Sequence, residues 1–348
     1  MLHFLMFAGG LAALVVGADL LVRGASRLAL SFGISPLVVG LTIVAFGTGA
    51  PEMAVSTGAV LNGQTGLAMG NVVGSNIFNV LFILGLSALI APLVVHVQII
   101  RQEVPILMGA SLLLLVLGLD GRISLTDGAL LFGLLLAYTV FLVVQSRRET
   151  QAAQAEFEAE IHAPAAGAWD ARLPVQIALI VAGLALLVLG SDWLVGAAVV
   201  FAKALGVSDL VIGLTIVAAG TSMPEVATSV AAALKGERDI AVGNVVGSST
   251  FNILGCLGLA GLAAGSEGLV VAPSLMAFDI WVMLAVALAC LPIFLSGREI
   301  ARWEGAVFLA AQQHDALHTY SAVMLGFVIP LTVVTLVVSL IRPSRGVQ

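Results

Sequence analysis

The chain carries one long segment twice. Displacing the sequence by 173 residues lays Gly33–Leu86 over Gly206–Leu259 without a gap, and 32 of the 54 paired positions are identical. Within the match, GLTIVAFGTGAPEMAVS (40–56) faces GLTIVAAGTSMPEVATS (213–229), and GNVVGSNIFN (70–79) faces GNVVGSSTFN (243–252). Asp19 and Asp192 share the offset. Two copies of one segment fold alike, so the chain divides into halves, 1–146 and 173–348, with paired motifs at 40–79 and 213–252. The residues between, 147–172, form the one long polar stretch, an acidic linker with Glu149, Glu156, Glu158, Glu160 and Asp170.

Composition sets the solvent. Sixty per cent of the residues are hydrophobic and 10% charged, with a mean hydropathy of +1.13. Soluble domains carry about 25% charged residues. Apolar runs long enough to cross a hydrocarbon core of about 30 Å recur along the chain. They predict helices near 4–31, 36–61, 67–90, 103–118, 125–146, 173–203, 209–234, 240–263, 278–296 and 321–341. The first run follows no cationic segment and is expected to be a retained helix and not a cleaved signal peptide. Five helices separate equivalent points of the repeat, an odd number, so the second copy is expected to cross the membrane in the opposite sense. The expected fold is an all-α integral membrane protein of about ten transmembrane helices in two inverted-topology five-helix repeats. Secondary transporters are built this way, with the site where the halves meet.

Ten cations follow odd-numbered helices (Arg23, Arg27, Arg101, Arg147, Arg148, Arg172, Lys235, Arg238, Arg298, Arg302), and two, Arg122 and Lys203, follow even-numbered ones. That bias places the N-terminus outside and the linker in the cytoplasm. Cys256 and Cys290 lie in apolar stretches without metal-ligand spacing and read as core residues. Nothing in the charge pattern suggests a nucleic-acid partner.

Few acids lie within the apolar runs, and an ionised one at the bilayer centre costs about 3 kcal/mol. Asp19 has Arg23 one turn on, which suggests a local pair, and Asp192 is expected near a helix end. Glu52 and Glu225 stand mid-run at repeat-equivalent positions with no Lys or Arg nearby in sequence. Together they would neutralise one Ca2+ or two Na+. Pro51 and Pro224 each free a carbonyl one turn earlier, at Gly47 and Gly220. Thr48, Thr221 and Ser222 place hydroxyls within a turn of the glutamates, and the pairs Ser75/Asn79 and Ser248/Asn252 each share a helix face. Carboxylate, hydroxyl, amide and carbonyl oxygens without His or Cys describe a hard-cation site. Gly70, Gly74, Gly243 and Gly247 would let the helices approach closely.

The segments GTGAPEMAVS and GTSMPEVATS, each followed by GNVVGS, resemble the two alpha repeats of the Ca2+:cation antiporter superfamily, most nearly the bacterial sodium/calcium exchangers. The resemblance implies ten helices, ions bound between the second, third, seventh and eighth, and three Na+ exchanged for one Ca2+. It implies Glu52 and Glu225 as Ca2+ ligands, with Thr48, Thr221, Ser75, Ser248 and Ser222 lining Na+ sites. Backbone carbonyls at Ala45 and Ala218 would join them, and Asn79 and Asn252 would take the remaining ligand positions. It also implies the bacterial inner membrane, no cofactor, and Ca2+ with Na+ or H+ as substrates. Oligomeric state is not legible.

Three departures stand out. Gly49 replaces a family Ser, Asn252 stands where some members carry Asp, and Ser249-Thr250 replace the Asn-Ile of the first repeat. After Trp303 the apolar run ends near Ala311, too short to span, so that either 303–318 is short and re-entrant or 321–341 serves as the tenth helix. Ca2+/Na+ antiport is the leading reading. Ca2+/H+ exchange is the alternative, since a buried carboxylate can also carry a proton. No nucleophile–base pair or HExxH motif supports an enzyme.

Overall fold

A computed structural model describes residues 2–146, 170, 172–205, 218–295 and 298–314. Among them, seven helices are long and apolar enough to cross a membrane, or eight if one bent pair is a single span. In chain order the helices are α1 (Leu2–Phe32), α2 (Pro36–Thr48), α3 (Ala50–Leu61), α4 (Thr65–Ile90), α5 (Ile99–Asp120), α6 (Leu125–Ser146), α7 (Leu173–Ala204), α8 (Ala218–Thr221), α9 (Met223–Lys235), α10 (Arg238–Glu267), α11 (Leu275–Leu295) and α12 (Arg302–His314). The expected tenth span at 321–341, most of the linker and residues 206–217 lie outside the described residues.

Two helices form the interior. In the most apolar stretches of α4 and α10, 83% and 89% of residues are buried, against 28–39% for α1, α5, α6, α7 and α11. The second GNVVGS segment is buried throughout, and in the first Asn71 and Ser75 are buried while Gly70 and Gly74 are exposed among the described residues. This explains how Asn and Ser persist in helices of such high hydropathy.

The outer pair α1 and α7, 31 and 32 residues long, would rise about 47 Å at 1.5 Å per residue and must tilt to fit the bilayer. They touch along glycines. A Cβ on Gly10 would lie 2.8 Å from the Gly190 carbonyl oxygen, and one on Gly17 2.8 Å from that of Gly183. In lipid, where apolar burial gives no net drive, such close backbone contact is what holds helices together. Gly243 and Gly247 of α10 likewise approach Leu37 and Leu41 of α2. The close approach expected at Gly70 and Gly74 is not seen among the described residues, where a Cβ on either would meet nothing within 4 Å.

The helix expected over 36–61 is broken. Its parts α2 and α3 meet at 43° at Gly49 (φ −78°, ψ 0°), and Gly40–Val44 of α2 form a π-turn. Pro51 lacks an N–H and its ring crowds the carbonyl of Gly47, so the helix cannot run straight through. In the second half Ser222 (φ −87°, ψ 6°) separates α8 from α9, with Pro224 in the first turn.

Two short antiparallel ribbons each take one strand from either half: Leu93–Val94 pairs with Glu299–Ile300, and Arg122–Ile123 with Leu269–Val270. The end of the linker is fixed to α1. Asp170 is buried, with Arg27 Nε at 3.1 Å and Arg23 Nε at 3.8 Å, and Gln176 bonds both its carbonyl and Ser31. Asp19, expected to pair locally with Arg23, receives Lys235 of α9, whose Nζ lies 3.0 Å from Oδ1. Asp192 sits well inside α7, exposed, and not near a helix end. Both cysteines are free and buried.

Candidate cation site

Glu52 and Glu225 lie in the first turns of α3 and α9, each one residue past a proline, and each is 1% exposed. The breaks before them turn both first turns inward, toward α4 and α10. Ser222, three residues before Glu225 in the chain, bonds Glu52 and so links the two. Among the described residues, the Oε2 atom of each has no hydrogen-bond partner. Nearby cations are engaged elsewhere, Lys235 on Asp19 and Arg23 and Arg27 on Asp170. Two buried acids with unused oxygens and, among the described residues, no paired base form a site that a cation would complete.

The halves interlock through these residues. Ser222 Oγ donates to Glu52 Oε1 at 2.9 Å and lies 3.4 Å from Ser75 Oγ of α4. Thr221 lies beside the Glu52 carboxylate and Thr48 beside that of Glu225. Thr48 Oγ1 also contacts Val44 O (3.1 Å) and, across the halves, Asn244 Oδ1 (3.2 Å), which Ser248 Oγ reaches at 3.5 Å. Thus Thr48, Thr221, Ser222, Ser75 and Ser248 all gather around the glutamates and are buried.

The amides behave differently. Asn79 is 1% exposed, and neither Oδ1 nor Nδ2 has a hydrogen-bond partner among the described residues. Asn252 Nδ2 donates to Asn76 Oδ1 at 3.2 Å, and its Oδ1 accepts from Cys256 Sγ at 3.5 Å. Of the expected carbonyls, that of Ala45 accepts the Gly49 N–H at 3.0 Å, and Ala218 begins α8. The carbonyl of Gly220, freed by Pro224, accepts the Ser191 hydroxyl at 2.5 Å. The counterpart of Ser191 is Ala18, which offers no donor.

Sequence reasoning missed Asn71 and Asn244. Asn71 Nδ2 donates to Ser56 Oγ (3.0 Å) and reaches Glu52 O (3.5 Å); Asn244 Nδ2 donates to Ser229 Oγ (2.9 Å) and reaches Glu225 O (3.4 Å). Each amide clamps an interior helix to the helix bearing a glutamate. Their signal was present, an Asn and a Ser repeated at the common offset, but nothing along the chain paired them. Asn71→Leu, nearly isosteric, strands the partners of that clamp. It is expected to cost about 1–3 kcal/mol, measured as a lower Tm of the detergent-solubilised protein; an unchanged Tm would show the clamp to be idle.

The family described as "Sodium/calcium exchanger protein" matches residues 2–144 and 175–311. Inner membrane protein YrbG of Escherichia coli is 39% identical over 283 residues, covering 80% of this chain and 84% of its own. Sodium/calcium exchanger MaX1 of Methanosarcina acetivorans is 33% identical over 336 residues, covering 88% and 95%. Among solved structures, the sodium-calcium exchanger NCX_Mj soaked with Na+ and Sr2+ superposes with a TM-score of 0.74 at 32% identity, covering 89% of this chain and 95% of that one.

Proposed function

The chain belongs to the sodium/calcium exchanger protein family, and from that premise we propose that it exchanges Ca2+ for Na+ across the bacterial inner membrane by alternating access. It is a multi-pass membrane transporter and not an enzyme. The observation that carries the reading is the pair of buried glutamates, each with an unused oxygen, ringed by hydroxyls from both halves. The proposed ligands are Glu52 and Glu225 for Ca2+, with Thr48, Thr221, Ser222, Ser75, Ser248, Asn79, Asn252 and the carbonyls of Ala45 and Ala218 around them. The reading includes ten helices in inverted five-helix repeats. The ribbons support this, since each joins strands from opposite halves, as a two-fold relation would require. The cation bias supports an outside N-terminus.

Coupling follows from electrostatics. When Ca2+ leaves, two bare carboxylates in a low-dielectric interior cost several kcal/mol each. Reorientation is then favourable only after monovalent cations have replaced it. That requirement links the two fluxes and suppresses leak.

Proton coupling is the second reading, and Gly49 favours it, because the hydroxyl that Ser222 supplies in one half has no counterpart in the other. The test is uptake of radioactive Ca2+ into proteoliposomes loaded with Na+ and diluted into Na+-free buffer, against a proton-gradient control. Uptake that requires internal Na+ is expected. Uptake driven only by the proton gradient would keep the site and change the coupling ion.

A further inference from the structure

The two halves of the site present different ligands. Beside Glu52 stands Ser222, whose hydroxyl lies 3.4 Å from that of Ser75, and on the helix of Ser75 the amide of Asn79 has no hydrogen-bond partner among the described residues. At the mirrored positions Ser248 keeps the hydroxyl of Ser75, but Gly49 replaces Ser222 and the amide of Asn252 is engaged.

Ser222 has Gly49 as its counterpart. A Cβ on Gly49 would lie 3.0 Å from Phe251 Cδ1, 3.3 Å from its Cε1 and 3.0 Å from the Ala45 carbonyl oxygen. The ring stands there for a traceable reason. Its counterpart Phe78 stacks on Phe82 at 4.7 Å and 9°. In the second half Gly255 occupies the place of Phe82, and Phe251 lies over it, within 3.0 Å of where a Gly255 Cβ would be. The ring then packs edge-on against Phe46 at 5.3 Å and 76°, where the other half has Ala219. Three linked differences thus put an aromatic ring against the position of the mirrored hydroxyl. Asn79 has Asn252 as its counterpart, and that amide is held at both ends, by Asn76 and by Cys256, while Asn76 is itself anchored on the Ser249 carbonyl at 3.0 Å.

Resting on the antiport reading above, we infer that the site carries two monovalent cations per Ca2+, not three, and that exchange is electroneutral. The two glutamates supply two negative charges, which one Ca2+ or two monovalent cations neutralise. A third would leave a net positive charge within the bilayer, tolerable only with further oxygen ligands. The half that would supply them keeps Thr48 and Ser248, but presents Phe251 where the further hydroxyl would stand, and a committed amide.

The test is the steady-state Ca2+ distribution across proteoliposomes at a fixed Na+ gradient, with K+ and valinomycin setting the membrane potential. The expected ratio is independent of potential. Were three Na+ exchanged, one net charge would cross, and about 60 mV would change the ratio about tenfold. A ratio that follows the potential while Na+ still drives uptake overturns this inference and leaves antiport intact. If a proton gradient alone drives uptake, the same series on that gradient decides between two and three protons by the same criterion. Loss of all driven flux from folded, monodisperse protein overturns the antiport reading and this inference with it. The role of the ring is tested by comparing Phe251→Ala with Phe251→Ala/Gly49→Ser. The pair, which restores the hydroxyl with room to stand, is expected to reach half-activation at severalfold lower Na+. Equal activation would overturn the assignment of Phe251 as the group that seals this half.

Discussion

Glu225→Gln is expected to abolish driven Ca2+ uptake while leaving a folded protein, and Glu52→Gln to do the same. The carboxamide keeps the size and the hydrogen-bonding shape of the side chain. At position 52 its carbonyl oxygen can still accept the Ser222 hydroxyl that now bonds Oε1. What it removes is one of two negative charges. Ca2+ would then bring an uncompensated positive charge into the membrane interior, a penalty of about 3 kcal/mol on insertion scales, or roughly a hundredfold in affinity. Stability should move the other way or not at all, because an unpaired buried charge is itself destabilising. The check is paired: Ca2+ uptake under a Na+ gradient, and the Tm of the same preparation in detergent. Near-normal uptake by either variant removes that glutamate from the ligand set, and a collapsed Tm assigns it a structural role.

The features legible in the sequence share one property: they need only the sequence compared with itself or with a helical wheel. The 173-residue offset, the paired glutamates and the hydroxyls one turn away from them required no knowledge of packing, and the structure gathers those side chains around one buried centre. The long apolar helices were legible for the same reason. The break at Gly49 was half legible. Pro51 announced a loosened helix, but the 43° bend depends on what α3 packs against.

The partners chosen by tertiary structure were not legible. Asp19 has an arginine one turn away, yet its carboxylate meets Lys235 from the other half, 216 residues on. Ser191 capping the Gly220 carbonyl, and Asn76 holding Asn252, join groups whose proximity exists only after the helices assemble. The asymmetry around Phe251 is the instructive case. Each of the residues responsible, Gly49, Gly255 and Phe46, was visible as a mismatch between the repeats. Taken singly, a Gly or Phe in a membrane helix reads as packing. Only the ring geometry shows that the three mismatches act on one point.

Gly183→Val is expected to be the most damaging substitution outside the site. A Cβ on Gly183 would lie 2.7 Å from the Leu21 backbone nitrogen, 2.8 Å from the Gly17 carbonyl oxygen and 2.9 Å from Leu21 Cβ. Two of those three atoms are backbone and cannot rotate away, so α1 and α7 would have to separate along a length of their interface. Overpacking costs about 1–3 kcal/mol in a soluble core. In lipid there is little apolar drive to reseal the gap, because the tails are as apolar as the side chains they would replace. The glycines at 10 and 190 sit on the same seam, so the displacement would propagate and not stay local. Gly196→Val on the same helix is the control: it adds the same two methyls at an exposed position where a Cβ meets nothing within 4 Å. The measurement is thermal unfolding followed by size-exclusion chromatography in detergent, with Ca2+ uptake on the same samples. A Tm lowered by several degrees in Gly183→Val but not in Gly196→Val, with uptake lost, would show that the α1–α7 seam holds the halves in register for transport. Equal melting of the two variants would show that the seam can open without cost and that the other contacts between the halves suffice.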